Sequence, residues 1–576
     1  MTQTYSIEKQ CTGGAARRVS RTASLALAVV LAFGAASAAE AAGVLTRHVR
    51  DGFSTAMAAA TLGDVPVDRR MALDVVLPVR DRAGLDAFVA NVTNPASPAF
   101  RQYLTPAQFT ARFGPTQADY DATVQYLRQH GLSVTGGSRD GMDVQVAGPA
   151  SAVEAAFNLK LHLYHHPSEN RTFFGPDREP TTSLAIPLWH VSGLDNYSIP
   201  HPLFVKKSDY AKAHGISPDA VVSHATTGSG PSASFLGSDM RAAYYGGSSL
   251  TGAGQNLGLF EYAGTELADL NTYFNNIGQT NQVPVTLLST DGTSTSCDPS
   301  QCDDGEQTLD MTQAIGMAPG LASLTMYVGS TDTAILSAMT TNSPLPTTIG
   351  CSWGWTPADP STLDPYFEKM AAQGQSFFAA SGDSSTWSSS NEAWPADDAY
   401  VISVGGTDLT TGSAAGAWKS ETAWADSGGG ISPDHIAIPS WQKISGVINS
   451  RNKGSTTTRN GPDVSANANF TFYVCADQTD CTANEYGGTS FAAPMWAGFI
   501  ALANQQAAAS GQAPVGYFNP SIYAQNEVNG ALTPAYTANF HDITSGKSGS
   551  YSATTGYDLV TGWGSPKVDL ITTLVR

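Results

Sequence analysis

The sequence predicts an α/β protein: a domain with a mainly parallel sheet flanked by helices, preceded by a smaller α+β domain. Three observations predict this. From about residue 255 onward, short and mainly apolar runs (257–262, 324–328, 348–352, 376–380 and 401–404) alternate with helical stretches such as 265–276 and 365–374. Strands covered on both faces read this way, and strand–helix alternation builds a parallel sheet. Between about 71 and 198 the pattern differs: strand-like segments at 71–78 and 141–148 accompany helical periodicity at 82–91, 117–130 and 151–157. A Pro-, Ser- and Gly-bearing stretch with little periodicity, 199–235, separates the two. A chain of 576 residues and 60.1 kDa has room for two or three domains.

In chain order, residues 1–42 read as a secretory signal. Lys9, Arg17, Arg18 and Arg21 precede an apolar run from Ala23 to Phe33, and small residues around Ala36, Ala38, Ala39 and Ala41 suit cleavage. The run is too short for a permanent span, and no other stretch of 18 apolar residues follows. A secreted, extracellular protein without a permanent membrane span is expected, and a monomer. Export permits disulfides. Apart from Cys11 in the leader, Cys297 with Cys302 and Cys475 with Cys481 form close pairs in polar loops, leaving Cys351 alone. Two local bridges are expected. Zinc is the rival reading, but no His stands at ligand spacing.

The charge is lopsided. Residues 1–220 carry 20 Lys plus Arg against 19 Asp plus Glu; residues 221–576 carry 10 against 30. The net charge of −19 argues against a nucleic-acid partner. The second part is expected to present an acidic surface suited to low pH. Eight of the eleven histidines lie in residues 1–220, which suggests a pH-dependent contact between the two parts.

The most specific segment is Gly487-Gly-Thr-Ser490-Phe-Ala-Ala-Pro494, leading into an apolar helix at 495–506. A small-residue turn ending in Ser at a helix start exposes a hydroxyl in the positive field of the helix N-terminus. Pro494 is expected in the first turn, where its missing N–H costs nothing. On spacing alone this is equally a Ser/Thr cap before a buried helix. A second segment, Asp304-Gly-Glu306-Gln-Thr-Leu-Asp310, puts two carboxyls four residues apart on one helix face. A third, Phe377-Phe-Ala-Ala-Ser-Gly-Asp383-Ser, is an apolar strand ending in a turn.

Together these segments resemble the sedolisins, the serine-carboxyl peptidases, whose subtilisin-like fold uses Ser, Glu and Asp where subtilisins use Ser, His and Asp. The resemblance implies Ser490 as nucleophile, Glu306 as general base and acid, Asp310 as its orienting partner and Asp383 as oxyanion donor. It also implies an auxiliary network of Glu261, in Leu-Phe-Glu-Tyr, and Trp353, in Cys-Ser-Trp-Gly. An oxyanion donor that is a carboxyl must be protonated, so acid action is expected. Near the C-terminus, Phe540-His-Asp542-Ile543 and Thr554-Thr-Gly556-Tyr-Asp558 resemble the family's calcium loop. This implies one structural Ca²⁺ held by the side chains of Asp542 and Asp558 and the carbonyls of Ile543, Thr554 and Gly556. Thr554 departs from the family's Gly at a carbonyl position. Tyr103-Leu-Thr-Pro-Ala-Gln-Phe resembles the pro-kumamolisin activation domain.

The implied organisation is a signal peptide (1–42), a propeptide (43–200), a linker and maturation region (201–235) and a peptidase domain with its calcium loop (236–576). The implied function is a secreted, acid-acting serine-carboxyl endopeptidase made as a zymogen. It would act on proteins or peptides, with its own propeptide as intramolecular inhibitor and chaperone. The alternatives are a tripeptidyl-peptidase using the same chemistry and an inactive secreted binding protein on this scaffold.

Overall fold

The computed structural model describes residues 42–576 except 50–60, 222–226, 301, 357, 390, 392 and 479–480. The expected signal peptide lies outside the described residues, its last position apart.

The first layer of structure is the α+β unit. Strand β1 (Arg70–Val76) is followed by α1 (Arg82–Val92), α2 (Pro106–Arg112), α3 (Gln117–Gln129), β2 (Ser133–Gly136), β3 (Asp143–Pro149), α4 (Ala150–Phe157) and β4 (His190–Ser192). The strands form an antiparallel sheet in the order β2-β3-β1-β4. Helix starts follow the local chemistry: Asp81 caps α1, and Thr105 with Gln108 makes a reciprocal capping box on α2. A core of Leu73, Val75, Leu127, Val144, Val146 and Phe157 closes this unit.

The region expected to be a plain linker is more ordered than its composition suggested. Residues His201–Pro202 pair antiparallel with Trp353–Gly354, and Val205–Lys206 pair antiparallel with Tyr486–Gly487. A helix, Lys207–His214, follows. Side chains did not decide this order, because the pairing uses main-chain groups offered by strands far away in sequence.

The large unit is the expected parallel sheet. It contains β5 (Asn256–Glu261), β6 (Val285–Ser289), α5 (Gly305–Met317), β7 (Ser323–Val328), β8 (Thr348–Cys351), α6 (Pro360–Gln373), β9 (Ser376–Ala380), β10 (Ile402–Thr411), β11 (Trp418–Ala423), β12 (Val464–Asn467) and α7 (Thr489–Ala509). The order is β6-β7-β5-β8-β9-β10, with β11 antiparallel and β12 parallel on β10. Nearly every residue of β5, β8, β9 and β10 is buried, which is why their apolar segments do not alternate with polar ones as half-exposed strands do. Helices α5 and α7 are buried almost all round and pack against each other. A Cβ on Gly498 would come within 2.9 Å of the Ala314 carbonyl, so the helices meet this closely only at glycine.

The two units are in contact through α1 and α6. Arg82 Nη2 donates to Glu368 Oε1 at 2.7 Å, and the Glu368 side chain is fully buried. Leu104 N donates to the Ala372 carbonyl and Tyr103 Oη to the Val515 carbonyl, both at 2.9 Å. The acidic surface expected of residues 221–576 is only half the picture. Nearly half of the thirty carboxyl side chains there are buried, including Glu261, Asp310, Asp398, Glu421, Asp463 and Asp558. Interior acids of this kind must be neutral, paired or surrounded by donors, and Glu421 shows the last solution: Tyr244, Thr407, Trp418 and Ser565 all donate to it. Both expected disulfides, Cys297–Cys302 and Cys475–Cys481, are present, and Cys351 is free and buried.

Candidate active site

The site lies at the carboxyl ends of the parallel strands, where an open α/β sheet offers its crevice. Strand β5 ends on Glu261, β8 runs into Ser352 and Trp353, and β9 into Gly382 and Asp383. Helix α5 contributes Glu306 and Asp310 one turn apart, and α7 contributes Ser490 in its first turn. All the residues singled out for catalysis therefore converge, from five elements.

Ser490 Oγ donates to Glu306 Oε2 at 2.9 Å. Asp310 lies within hydrogen-bonding reach of both Glu306 and Glu261. Trp353 Nε1 donates to Glu261 Oε2 at 2.9 Å. Glu306 Oε1, Asp310 Oδ2 and Glu261 Oε1 find no N–H or O–H donor among the described residues. Three buried carboxyl oxygens facing other carboxyls are satisfied only if protons are shared among them. Burial pushes all three groups well above the usual carboxyl range. The neighbouring Asp310 carboxyl pushes Glu306 and Glu261 further, whereas the hydrogen bonds from Ser490 and Trp353 act the other way.

Asp383 Oδ1 accepts from Thr489 N and from Thr489 Oγ1, both at 2.8 Å. Its other oxygen, Oδ2, has no donor among the described residues. Burial raises Asp383 to about 8, and the bonds from Thr489 oppose the rise. Gly488 is required beside it. A Cβ there would stand 2.6 Å from Asp383 Oδ2, 2.6 Å from the Leu203 carbonyl oxygen and 2.7 Å from Phe204 Cα.

Those last contacts show what fills the cleft. Leu203 N donates to the Ser352 carbonyl at 2.8 Å, and the Leu203 carbonyl accepts from Ser490 N at 3.1 Å, with Ser490 Oγ lying close against it. Residues 201–206 thus run through the site as an extended strand, with the Leu203–Phe204 peptide at the nucleophile.

Ser352 has a role that its sequence position did not suggest. Helix α7 begins at Thr489, so Pro494 sits in the second turn rather than the first. The N–H that Pro494 lacks is the one that would bond the Ser490 carbonyl. Ser352 Oγ supplies the missing donor at 3.2 Å and also lies 2.7 Å from Asp310 Oδ1. A hydroxyl has one proton, so Ser352 serves both only when Asp310 is protonated and donates to it. That agrees with the raised Asp310.

The expected calcium residues also come together. Asp542 Oδ1 accepts from Gly556 N at 3.0 Å, and Asp558 Oδ2 from Thr554 N at 2.9 Å, which ties the two loops to each other. The carbonyls of Ile543, Thr554 and Gly556 accept no hydrogen bond among the described residues. Two carboxylates with three uncommitted carbonyls form an all-oxygen donor set of the kind a hard cation takes. Thr554 offers its carbonyl as freely as a glycine would.

Residues 58–196 match the pro-kumamolisin activation domain and residues 309–557 the subtilase family. Kumamolisin from Bacillus sp. (strain MN-32) is 31 % identical over 554 residues, covering 91 % of this chain and 94 % of its own. Xanthomonalisin from Xanthomonas sp. (strain T-22) is 29 % identical over 590 residues, covering 90 % of this chain and 67 % of its own. A solved structure of Pseudomonas sedolisin complexed with two molecules of pseudo-iodotyrostatin is 28 % identical, with a TM-score of 0.48, over 59 % of this chain and 97 % of that one.

Proposed function

Since this chain belongs to the sedolisin family of serine-carboxyl peptidases, we propose that it is an exported, acid-acting endopeptidase whose precursor holds its own maturation segment in the active site. The observation that carries this reading is the register of residues 201–206, with the Leu203 carbonyl at Ser490 and the chain running on in both directions. A cleft through which a polypeptide passes uninterrupted favours cleavage within chains over removal of tripeptides from their ends.

The chemistry follows from the geometry. Ser490 Oγ attacks the carbonyl carbon of the bound peptide and passes its proton to Glu306 Oε2. The oxyanion accepts from Ser490 N–H and from a protonated Asp383 Oδ2. Glu306 returns the proton to the departing amine, which leaves an acyl group on Ser490 for water to remove. Asp310 and Glu261 share the remaining protons of the network and hold Glu306 toward the hydroxyl. The working form carries one negative charge in this network and a neutral Asp383, so activity is lost as Asp383 ionises on the alkaline side. A Ca²⁺ held by Asp542 and Asp558 with the carbonyls of Ile543, Thr554 and Gly556 would neutralise the two carboxylates and brace the C-terminal loops.

Acidifying the purified precursor and following its mass tests the reading. We expect a cut at Leu203–Phe204, abolished in Ser490→Ala and in Glu306→Ala, and then hydrolysis of an N-terminally blocked peptide. Normal maturation of either variant would overturn the assignments, and cleavage restricted to peptides with a free N-terminus would favour a tripeptidyl-peptidase.

A further inference from the structure

The segment in the cleft carries information about which substrates the cleft prefers. Phe204 and Lys206 are two residues apart on an extended chain, so both side chains project to one face while Val205 projects to the other. Main-chain pairing fixes that face: Val205 stands opposite Gly487 and Lys206 opposite Tyr486, and Lys207 N donates to the Glu485 carbonyl at 2.8 Å.

On it, the Phe204 ring lies 5.5 Å from the Tyr486 ring at an interplanar angle of 35°. Lys206 Nζ is 2.7 Å from Asp303 Oδ2 and 5.4 Å above the Tyr486 ring. The floor between these groups is Gly305, where a Cβ would touch both Phe204 Cζ and Tyr486 Cε1 at 3.4 Å. Asp303 is aimed rather than free: its Oδ1 accepts from Gly305 N at 3.0 Å, which leaves Oδ2 toward the cation. The turn that places the Glu306 base therefore also places a carboxylate three residues beyond the scissile bond.

We propose that Tyr486 and Asp303 are specificity-determining residues, selecting an aromatic residue directly after the cut and a lysine or arginine two residues further on. This rests on the peptidase register proposed above. As a staple for the precursor the Lys206–Asp303 pair would be weak, because both side chains are partly exposed, at 30 and 47 %. A pair of that kind contributes about 0.5–1 kcal/mol, or two- to fivefold in a rate ratio. That is too little to hold a domain in place and enough to rank substrates. The aromatic contact adds a larger preference, because an offset ring pair buries area as well as making its own interaction.

The test uses the matured enzyme at about pH 5, above the ordinary carboxyl range, with N-terminally blocked peptides containing Pro-Leu-Phe-Val-Lys. Glu or Ala replaces the Lys in parallel peptides, and Ala the Phe. We expect kcat/KM to favour Lys over Ala about two- to fivefold and over Glu by more, and Phe over Ala about tenfold. In Asp303→Asn the Lys/Ala ratio should fall to near one. In Asp303→Lys it should turn in favour of Glu, an inversion that a merely structural residue would not produce. Tyr486→Leu should lower the Phe/Ala ratio.

Cleavage at Leu-Phe with the same ratios in parent and variants would overturn this inference and leave the peptidase reading standing. Cleavage elsewhere, or none, would overturn both. Should Asp303→Lys fail to mature, the parent's Lys/Glu ratio and the Asp303→Asn ratio decide the matter.

Discussion

Ser352→Ala should be unusually costly for the removal of one oxygen, and the structure says why. Its hydroxyl links Asp310 Oδ1, at 2.7 Å, to the Ser490 carbonyl, at 3.2 Å, in a wholly buried setting. Deleting it removes a bond to a neutral carboxyl group, about 0.5–1.5 kcal/mol, and leaves a buried carbonyl without a donor, about 1–3 kcal/mol. A total near 3 kcal/mol is a reasonable central value. The second part arises only because Pro494 has no N–H to give the Ser490 carbonyl. Pro494→Ala restores that donor within the helix, so Ser352→Ala should cost about 1 kcal/mol less in its presence. The assay is chemical denaturation of the precursor in a Ser490→Ala background, which keeps the Ser490 backbone and prevents self-cleavage. A double-mutant cycle reads the coupling directly. If the cost of Ser352→Ala were the same with Pro or Ala at 494, within about 0.5 kcal/mol, the proposed link between the helix break and the carboxyl network would be refuted. The activity of Ser352→Ala with Ser490 intact should fall as well, since Asp310 loses its tether.

Three further outcomes follow from the same geometry. Asp383 is raised to about 8 and donates only while neutral, so its contribution is complete well below that pH and lost as pH rises through it. In a pH profile of kcat, Asp383→Asn should keep its donor at about pH 9, where about one-tenth of the parent's Asp383 is neutral. Asp383→Ala should lose about 10²–10³-fold well below pH 8, a gap that narrows above it as the parent's own Asp383 ionises. Burial raises Glu368 to about 8 and Arg82 opposes the rise, so the docked units tolerate Glu368 best in its neutral form, and stability is lost as pH rises through about 8. Arg82→Ala should therefore lower the precursor's melting temperature more at pH 7–8 than at pH 4; equal shifts would contradict this. A chelator should lower the melting temperature of the matured enzyme, because an ion at a hundred times its Kd stabilises by about 2.7 kcal/mol. Asp558→Ala should abolish the chelator's effect.

Much of this protein was legible in its sequence because its chemistry is concentrated in short segments. The Ser490 turn, the Glu306/Asp310 helix face and the Asp383 turn each have local spacing that a side chain's reach enforces. The buried strands announced themselves because both faces are covered. The antiparallel unit showed its helices through their caps and their apolar stripes. Sequence by itself thus determined the fold class and picked out most of the residues that the structure brings together around Ser490.

What it could not determine depends on groups far apart in the chain or on main-chain atoms, which carry no residue identity. Composition marked residues 199–235 as irregular, yet 201–206 are held by strands near 353 and 486, through hydrogen bonds any sequence could make. The place of Pro494 in the second turn, and hence the role of Ser352, depends on where α7 starts, and Gly488 sets that start through its close approach to the Leu203 carbonyl. The burial of so many carboxylates was equally invisible, because a carboxyl reads the same in a sequence whether water or other carboxyls surround it. Only the tertiary structure decides that surrounding, and with it the protonation states on which this chemistry depends.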